Sequence, residues 1–472
     1  MYFEQFYLGC LAHASYMLGS EGEAAVVDPQ RDVEIYLKAA DEQGLKIRHI
    51  FETHLHADFV SGHLELAERT GAKIYIGAEA GATFSHEPLR HGSEVQVGKL
   101  RFTALETPGH TPEGICLVVV DQEKSSEPWA VLTGDTLFIG DVGRPDLSKA
   151  HTPQQLAGSL YDSLHGKLMK LGDQVLVYPA HGAGSLCGRN MRAERSSTIG
   201  TERLTNYALQ IKSREEFIRQ LTENMLSRPE YFLEDAQINR AGAPALAEMR
   251  ELLPIAAPEL NELLQQGVFV LDVRPNADFA AAHVPGSVNI ALSGQFASWA
   301  GTIMGLSARP VLIADTPEQY AEARLRLARV GIEDPRGFLP GGIAAWKQIG
   351  FPLAHVRQIT VQELSRQRSQ NLQVLDVRRE GEWQAGHIEG AEWFPLDNFK
   401  ISAPELDPSA AVAVHCQGGY RSMIACSLLQ RAGLENVVNV TGGFDAWREA
   451  ALPVEVSQPE EQAKATELLR RD

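Results

Sequence analysis

The chain has 472 residues, 44% of them hydrophobic and 22% charged, with a formal net charge of -18. That length exceeds what one hydrophobic core organises and predicts roughly two to four domains. The excess of acid argues against a nucleic-acid partner, which needs a dense Lys/Arg surface, and no run of about 18 apolar residues exists to cross a bilayer, so no membrane partner is expected either.

In chain order, the opening Met1-Tyr2-Phe3-Glu4-Gln5-Phe6 lacks the basic patch and apolar run of a secretory signal, which predicts a cytoplasmic chain with reduced thiols. Apolar Ile50-Phe51 then leads into Thr53-His54-Leu55-His56-Ala57-Asp58-Phe59, a strand expected to end in a turn carrying two histidines and a carboxylate. A second strand over residues 100–106 ends in Thr107-Pro108-Gly109-His110, a third over 129–132 runs into Gly134-Asp135, and a fourth over 175–178 runs into Pro179-Ala180-His181-Gly182. One histidine alone is an ordinary core or surface residue. Four strand ends that deliver metal-ligand residue types predict a metal centre. Cys187 follows closely on His181 and is read either as an accessory thiol at the mouth of that centre or as a small buried hydrophobe. Residues 202–253 then alternate charged and apolar residues at helical spacing, and a domain boundary is placed at Pro254.

Beyond that boundary the chain repeats itself. Leu271-Asp272-Val273-Arg274 returns as Leu375-Asp376-Val377-Arg378, His283-Val284-Pro285-Gly286 as His387-Ile388-Glu389-Gly390, and Gly341-Gly342 with Trp346 as Gly442-Gly443 with Trp447. Each copy alternates short β-rich runs with helical ones, which predicts two α/β domains with parallel sheets, over 254–355 and 356–458, followed by a charged tail at 459–472. In the second copy, apolar Ala411-Val412-Ala413-Val414 ends in His415-Cys416-Gln417-Gly418-Gly419-Tyr420-Arg421-Ser422, ahead of a helical run over 423–432. Glycines let successive N–H groups turn inward and a helix N-terminus adds positive potential, so this loop suits a thiolate or persulfide. In the first copy the matching position is Asp315, in a loop with no thiol, no glycine and added acid that repels a sulfur anion. That copy is expected to be catalytically inactive, spacing or docking its neighbour, with a ligand site at Asp315 as the alternative. The five cysteines, Cys10, Cys116, Cys187, Cys416 and Cys426, are odd in number and scattered, which argues against a disulfide framework.

The order His-x-His-x-Asp, Gly-His-Thr, Gly-Asp-Thr, His-Gly resembles the metallo-β-lactamase superfamily over residues 1–190, and Gly140-Asp141-Val142-Gly143-Arg144-Pro145-Asp146 looks like the Gly-Arg-x-Asp signature of its persulfide dioxygenase branch. The loop at 416–421, with its Leu-Asp-Val-Arg, Gly-His-Ile and Gly-Gly-Phe-x-x-Trp landmarks, resembles a rhodanese domain over 356–457. The implied fold class is multidomain α/β: an αββα metallo-β-lactamase sandwich over 1–253 with a C-terminal helical extension, then two rhodanese-like α/β domains with parallel sheets.

Many hydrolases of that superfamily, glyoxalase II among them, have a histidine after the aspartate and bind two metals. Phe59 stands there in this chain. The resemblance therefore implies His54, His110 and Asp135 as a face for one Fe(II) per chain, with His56, Asp58 and His181 orienting ligands or water from behind. It implies oxidation of a low-molecular-weight thiol persulfide, such as glutathione persulfide, by dioxygen to sulfite and thiol. At the rhodanese loop it implies Cys416 as the nucleophile, Arg421 as its charge partner, and Gln417, Gly418, Gly419 and Tyr420 as a cradle for sulfite or thiosulfate. Arg144 is read either as neutralising a carboxylate of the thiol carrier or as a structural salt bridge. Homo-oligomers are common in the resembling family, which makes self-association an expectation. The alternatives are a thioester hydrolase like glyoxalase II and a non-catalytic sulfur-carrier scaffold.

Overall fold

Strands buried on both faces set the architecture of the first half of the chain. The structure, a computed structural model, describes residues 1–223, 225, 228–367, 372–407 and 409–456; the tail expected at 459–472 lies outside the described residues. It divides into one unit of residues 1–249 with 327–331 and a second made of the remainder.

In the first unit, β1 (Tyr2–Leu8), β2 (His13–Ser20), β3 (Glu23–Val27), β4 (Lys46–Glu52), β5 (Lys73–Gly77) and β6 (Glu87–Leu89) form one sheet in that order. Its first three strands are antiparallel, and β3 to β6 run parallel. A second sheet has the order β12-β11-β10-β9-β8-β7, built from β7 (Glu94–Val97), β8 (Leu100–Glu106), β9 (Ile115–Asp121), β10 (Ala130–Gly134), β11 (Leu176–Pro179) and β12 (Ser197–Thr198). The facing sides interlock through Tyr16, Phe51, Phe102, Leu117 and Leu132. The Phe51 and Phe102 rings stack at 5.1 Å, an aromatic pair that adds about 1 kcal/mol to simple area burial.

Helices cover both outer sides. Tyr36 and Leu66, from helices Glu34–Glu42 and His63–Thr70, pack on Val26, Ile50 and Ile74. Leu160, Leu164 and Phe217, from helices Pro153–Gly166 and Arg214–Thr222, pack on Val118, Val131 and Val177. This is the αββα sandwich, and the strand ends that carry the histidine motifs meet along one rim of it.

The helical periodicity of residues 202–253 resolves into short helices, Ile199–Thr205, Tyr207–Gln210, Arg214–Thr222 and Phe232–Ala241, followed by a single 3-10 turn. Side chains interrupt the run: Asn206 and Ser213 accept the N–H groups of Ala208 and Glu216, and each restarts a helix.

The second unit holds two parallel sheets, one per copy of the repeat. In the first the order is β14-β13-β15-β16, from β13 (Val270–Asp272), β14 (Val288–Asn289), β15 (Val311–Ile313) and β16 (Gly337–Phe338). In the second, the strands Leu372–Asp376 and Ala411–His415 lie at the centre, flanked by strands Val437–Val440 and Glu392–Trp393. The repeated landmarks explain themselves physically. Arg274 and Arg378 fold back bidentately on Asp272 and Asp376, and each also donates to a carbonyl, of Ala282 or Gly386. Removing one partner of such a buried pair costs about 3–5 kcal/mol. The buried Trp346 and Trp447 each donate an indole N–H to a proline carbonyl, of Pro352 and Pro453. The helix after the cysteine loop begins at Tyr420, inside the loop and earlier than the periodicity suggests, with Gly419 as its N-cap. Among the described residues no helix is long and apolar enough to cross a membrane.

Candidate metal centre and sulfur-carrier loop

The motif residues of the first unit converge. His54 follows β4, His110 follows β8, Asp135 follows β10 and His181 follows β11. Gly134 is required at the third of these turns: its φ is +51°, and a Cβ there would stand 2.5 Å from Thr53 Oγ1. Nε2 of His110 lies 3.2 Å from Asp135 Oδ2, and Nε2 of His54 lies 3.7 Å from the same oxygen. These three atoms are buried and have no hydrogen-bond partner among the described residues.

Their opposite atoms are all engaged, and that engagement decides the tautomers. Thr53 Oγ1 gives its proton to Asp28 Oδ2 at 2.8 Å and accepts from His54 Nδ1 at 3.0 Å. His110 Nδ1 donates to the Arg144 carbonyl at 2.9 Å. Asp135 Oδ1 accepts from His181 Nδ1 at 2.8 Å. Two imidazole lone pairs and one carboxylate oxygen are thereby left facing each other. Leaving a buried polar atom unmade costs about 1–3 kcal/mol, so three converging together mark a candidate cation site. Burial alone would raise the Asp135 carboxyl, but the surrounding His181, His54 and His110 hold it well below the carboxylate range.

His181 sits between two carboxylates, with Nε2 2.9 Å from Asp58 Oδ2. Burial opposes its charge, yet Asp135 and Asp58 outweigh that and raise the imidazole well above its ordinary value. His56 turns away from the three orphan atoms, with Nε2 3.2 Å from Asp28 Oδ1 and 3.6 Å from Glu52 Oε2. Burial pushes Glu52 up to about 8, more than His56 beside it lowers it. Phe59 is buried, its ring 4.1 Å from His13 and 4.4 Å from His56. The position after Asp58 thus packs a hydrocarbon ring against the histidines and offers no ligand atom.

The motifs alone do not mark the role of several of these partners. Asp28, Thr53 and Glu52 carry the hydrogen bonds behind the histidines, and buried His13 has neither ring nitrogen partnered among the described residues. Asp28 was open to detection, since it follows the apolar run Ala24-Ala25-Val26-Val27 as Asp135 follows β10. Nothing in the sequence marked His13.

Arg144 is engaged bidentately by Asp146, at 2.6 and 2.8 Å, and donates to the Leu186 carbonyl. Its N–H bonds the Cys187 carbonyl at 3.0 Å. Cys187 is buried, and burial, reinforced by Asp58 and Asp135, raises its thiol well above the ordinary value. Gly143 packs so tightly that a Cβ would stand 2.0 Å from the Asp135 carbonyl and 2.8 Å from His110 Nδ1. Gly143→Ala is therefore expected to displace His110 and weaken metal retention about 10- to 100-fold with the circular dichroism unchanged, measured by chelator competition.

In the second unit, Cys416 follows the strand Ala411–His415 and is buried at the base of its loop. Its Sγ accepts the Gly419 N–H at 3.1 Å and lies 3.6 Å from Ser422 Oγ, which donates to Asn439 Oδ1. Arg421 is gripped by Glu382 through two bonds of 2.6 Å, which keep it charged against the cost of burial. Gln417 bonds Asp445, and Gly418 is exposed at the rim. In the other copy Asp315 is exposed, and its N–H is taken by Gln319 Oε1 at 2.8 Å.

Residues 8–181 match the family model of the metallo-beta-lactamase superfamily, and residues 256–349 and 360–450 each match that of the rhodanese-like domain. Fold and site together define a metallo-β-lactamase-fold domain joined to two rhodanese-like domains. The mitochondrial persulfide dioxygenase ETHE1 of Bos taurus is 30% identical over 224 residues, 46% of this chain and 78% of its own length. On that likeness the chain belongs to the persulfide dioxygenase family, which places it in sulfur metabolism and implies a bound metal. A metallo-beta-lactamase from Staphylococcus aureus subsp. aureus COL is similar in structure, with a TM-score of 0.65 at 31% identity over 72% of this chain and 98% of that one. A hydroxyacylglutathione hydrolase of Polaromonas sp. is 33% identical over 163 residues, 34% of this chain and 57% of its own length.

Proposed function

We propose that this chain oxidises a low-molecular-weight thiol persulfide, such as glutathione persulfide, to sulfite and the parent thiol, and that Cys416 carries sulfane sulfur into or out of that reaction in the cytoplasm. The observation that carries the reading is the convergence of His54 Nε2, His110 Nε2 and Asp135 Oδ2 as orphaned atoms, with Phe59 where a second metal would need its histidine. Two imidazoles and one carboxylate suit Fe(II), which when bound supplies a redox centre with coordination positions left for dioxygen and sulfur.

The overall change balances: the terminal sulfur of RSSH takes both atoms of dioxygen and one oxygen of water, leaving RSH, sulfite and two protons. A small cleft lined by Thr107, His110, Thr111 and Asp135 opens beside the three orphan atoms. His181, charged between Asp58 and Asp135, holds the second oxygen of Asp135 and keeps its first oxygen pointed at the metal site. Of the two readings of Arg144, its pairing with Asp146 favours the salt bridge, which steadies the loop whose carbonyl fixes His110. Cys187 is buried, and burial raises its thiol well above the ordinary value, which favours packing over a relay thiol.

At the other site the Cys416 thiolate attacks the outer sulfur of thiosulfate, the S–S bond breaks and sulfite leaves; in reverse, sulfite removes the sulfur as thiosulfate. The Cys-less copy has no nucleophile for this step. Metal analysis of the purified protein combined with oxygen uptake tests the reading. One iron per chain and one dioxygen consumed per glutathione persulfide are expected. Two metals per chain with anaerobic cleavage of a glutathione thioester would make it a hydrolase, and neither activity would make it a scaffold.

A further inference from the structure

The Cys-less copy of the repeat touches the loop that holds Cys416. Asn276, which opens the helix Asn276–Ala281, donates from Nδ2 to the carbonyl of Gly419 at 3.3 Å. Gly419 is the residue whose N–H points at Cys416 Sγ. The next residue, Tyr420, donates its hydroxyl to the Ala291 carbonyl at 2.8 Å. Its ring lies against Gly294, where a Cβ would stand 3.4 Å from it. The segment that receives Tyr420 is itself held by Arg326, which donates to the carbonyls of Leu292 and Gly294.

We infer that the Cys-less copy is a positioning element for sulfur transfer: Asn276 and the segment around Ala291 hold Gly419 and Tyr420 so that the Gly419 N–H stays aimed at the sulfur on Cys416. This rests on the reading of Cys416 as the sulfur carrier. The N–H that meets the sulfur and the carbonyl that Asn276 engages lie in the two peptide planes joined at the Gly419 Cα, so holding the carbonyl limits the φ and ψ rotations that would swing the N–H off the sulfur. Glycine resists such rotation less than any other residue, and bonds from outside the loop supply the missing stiffness. Asn276 Oδ1 is buried without a partner among the described residues. An amide flip would set that oxygen against the Gly419 carbonyl, two acceptors facing, so the donor orientation is the one chemistry permits. The unpartnered oxygen is a cost to folding, which argues that the side chain serves the loop more than the core.

The test compares Asn276→Ala, Asn276→Asp and Asn276→Gln in the full-length protein by thiosulfate:cyanide sulfur transfer. Alanine removes the donor and is expected to lower kcat about fivefold to tenfold, with KM for thiosulfate within twofold. Aspartate keeps the shape but presents an acceptor to a carbonyl and should lose more than alanine. Glutamine, which keeps an amide donor, should recover most of the rate. Equal melting temperatures exclude a loss of folded protein. If aspartate matches the unmodified protein, or if all three variants change KM rather than kcat, the inference is wrong. Cys416→Ser in the same assay separates the two levels: transfer that survives it overturns the sulfur-carrier reading, whereas a dead Cys416→Ser alongside an indifferent Asn276→Asp overturns only the role of Asn276.

Discussion

His110→Ala is expected to abolish persulfide-dependent oxygen uptake, by on the order of 10³-fold or more, while thiosulfate:cyanide transfer continues at its normal rate. His110 supplies one of three converging ligand atoms, and its Nε2 is freed for a metal only because Nδ1 is tied to the Arg144 carbonyl. With two protein ligands left, the metal is lost or mobile, and a group merely behind the ligands already contributes about 10- to 100-fold when removed. Iron per chain should fall in parallel with oxygen uptake. Alanine here leaves a small void at a site that is 3% exposed, so the melting temperature reports whether the fold persists. Asp135→Asn provides the companion, keeping the shape while removing the charge that His181, His54 and His110 surround. Oxygen uptake that persists in both variants would show that the reaction lies elsewhere.

Cys416→Ser is expected to produce the mirror image. Serine fits the loop, accepts the Gly419 N–H as the sulfur does, and cannot form a persulfide. Sulfur transfer should drop on the order of 10³-fold or more, equivalent to raising the barrier by about 4 kcal/mol or more, while oxygen uptake on added glutathione persulfide is retained. Mass spectrometry after incubation with thiosulfate provides the direct readout, because the unmodified protein gains one sulfur atom at Cys416 and the variant gains none. A sulfur adduct that remains in Cys416→Ser and maps to Cys187 would reverse the assignment of that buried thiol. The pair of variants also tests whether the two chemistries are separable, since each should silence one and spare the other.

Much of the site was legible because its chemistry is local. A strand that ends in Thr-His-x-His-x-Asp, and a strand that ends in His-Cys ahead of two glycines and a helix, declare themselves in a few consecutive residues. The repeat exposed both rhodanese-like copies, and the missing thiol at Asp315 was visible by simple alignment of one copy on the other. The helical run after residue 199 was less legible, since periodicity reports a buried face and is silent about where Asn206 and Ser213 restart the backbone.

By itself, then, the sequence determined which residue types stand at the strand ends, that Phe59 displaces a histidine, and that one thiol of the repeated domain survives. Only the tertiary structure decided which nitrogen of each histidine is free, that His56 turns to Asp28 and Glu52, that Arg144 closes on Asp146, and that Asn276 of the Cys-less copy reaches the Gly419 carbonyl. The physical reason is the range of the interactions. Residue type and backbone periodicity are properties of neighbours in the chain, whereas a tautomer or a charge state is imposed by whichever donor or acceptor packing brings within about 3 Å. For His54 that donor chain runs to Asp28, for His110 to Arg144, and for Cys416 through Gly419 to Asn276, each a partner that folding, and not proximity in sequence, supplies.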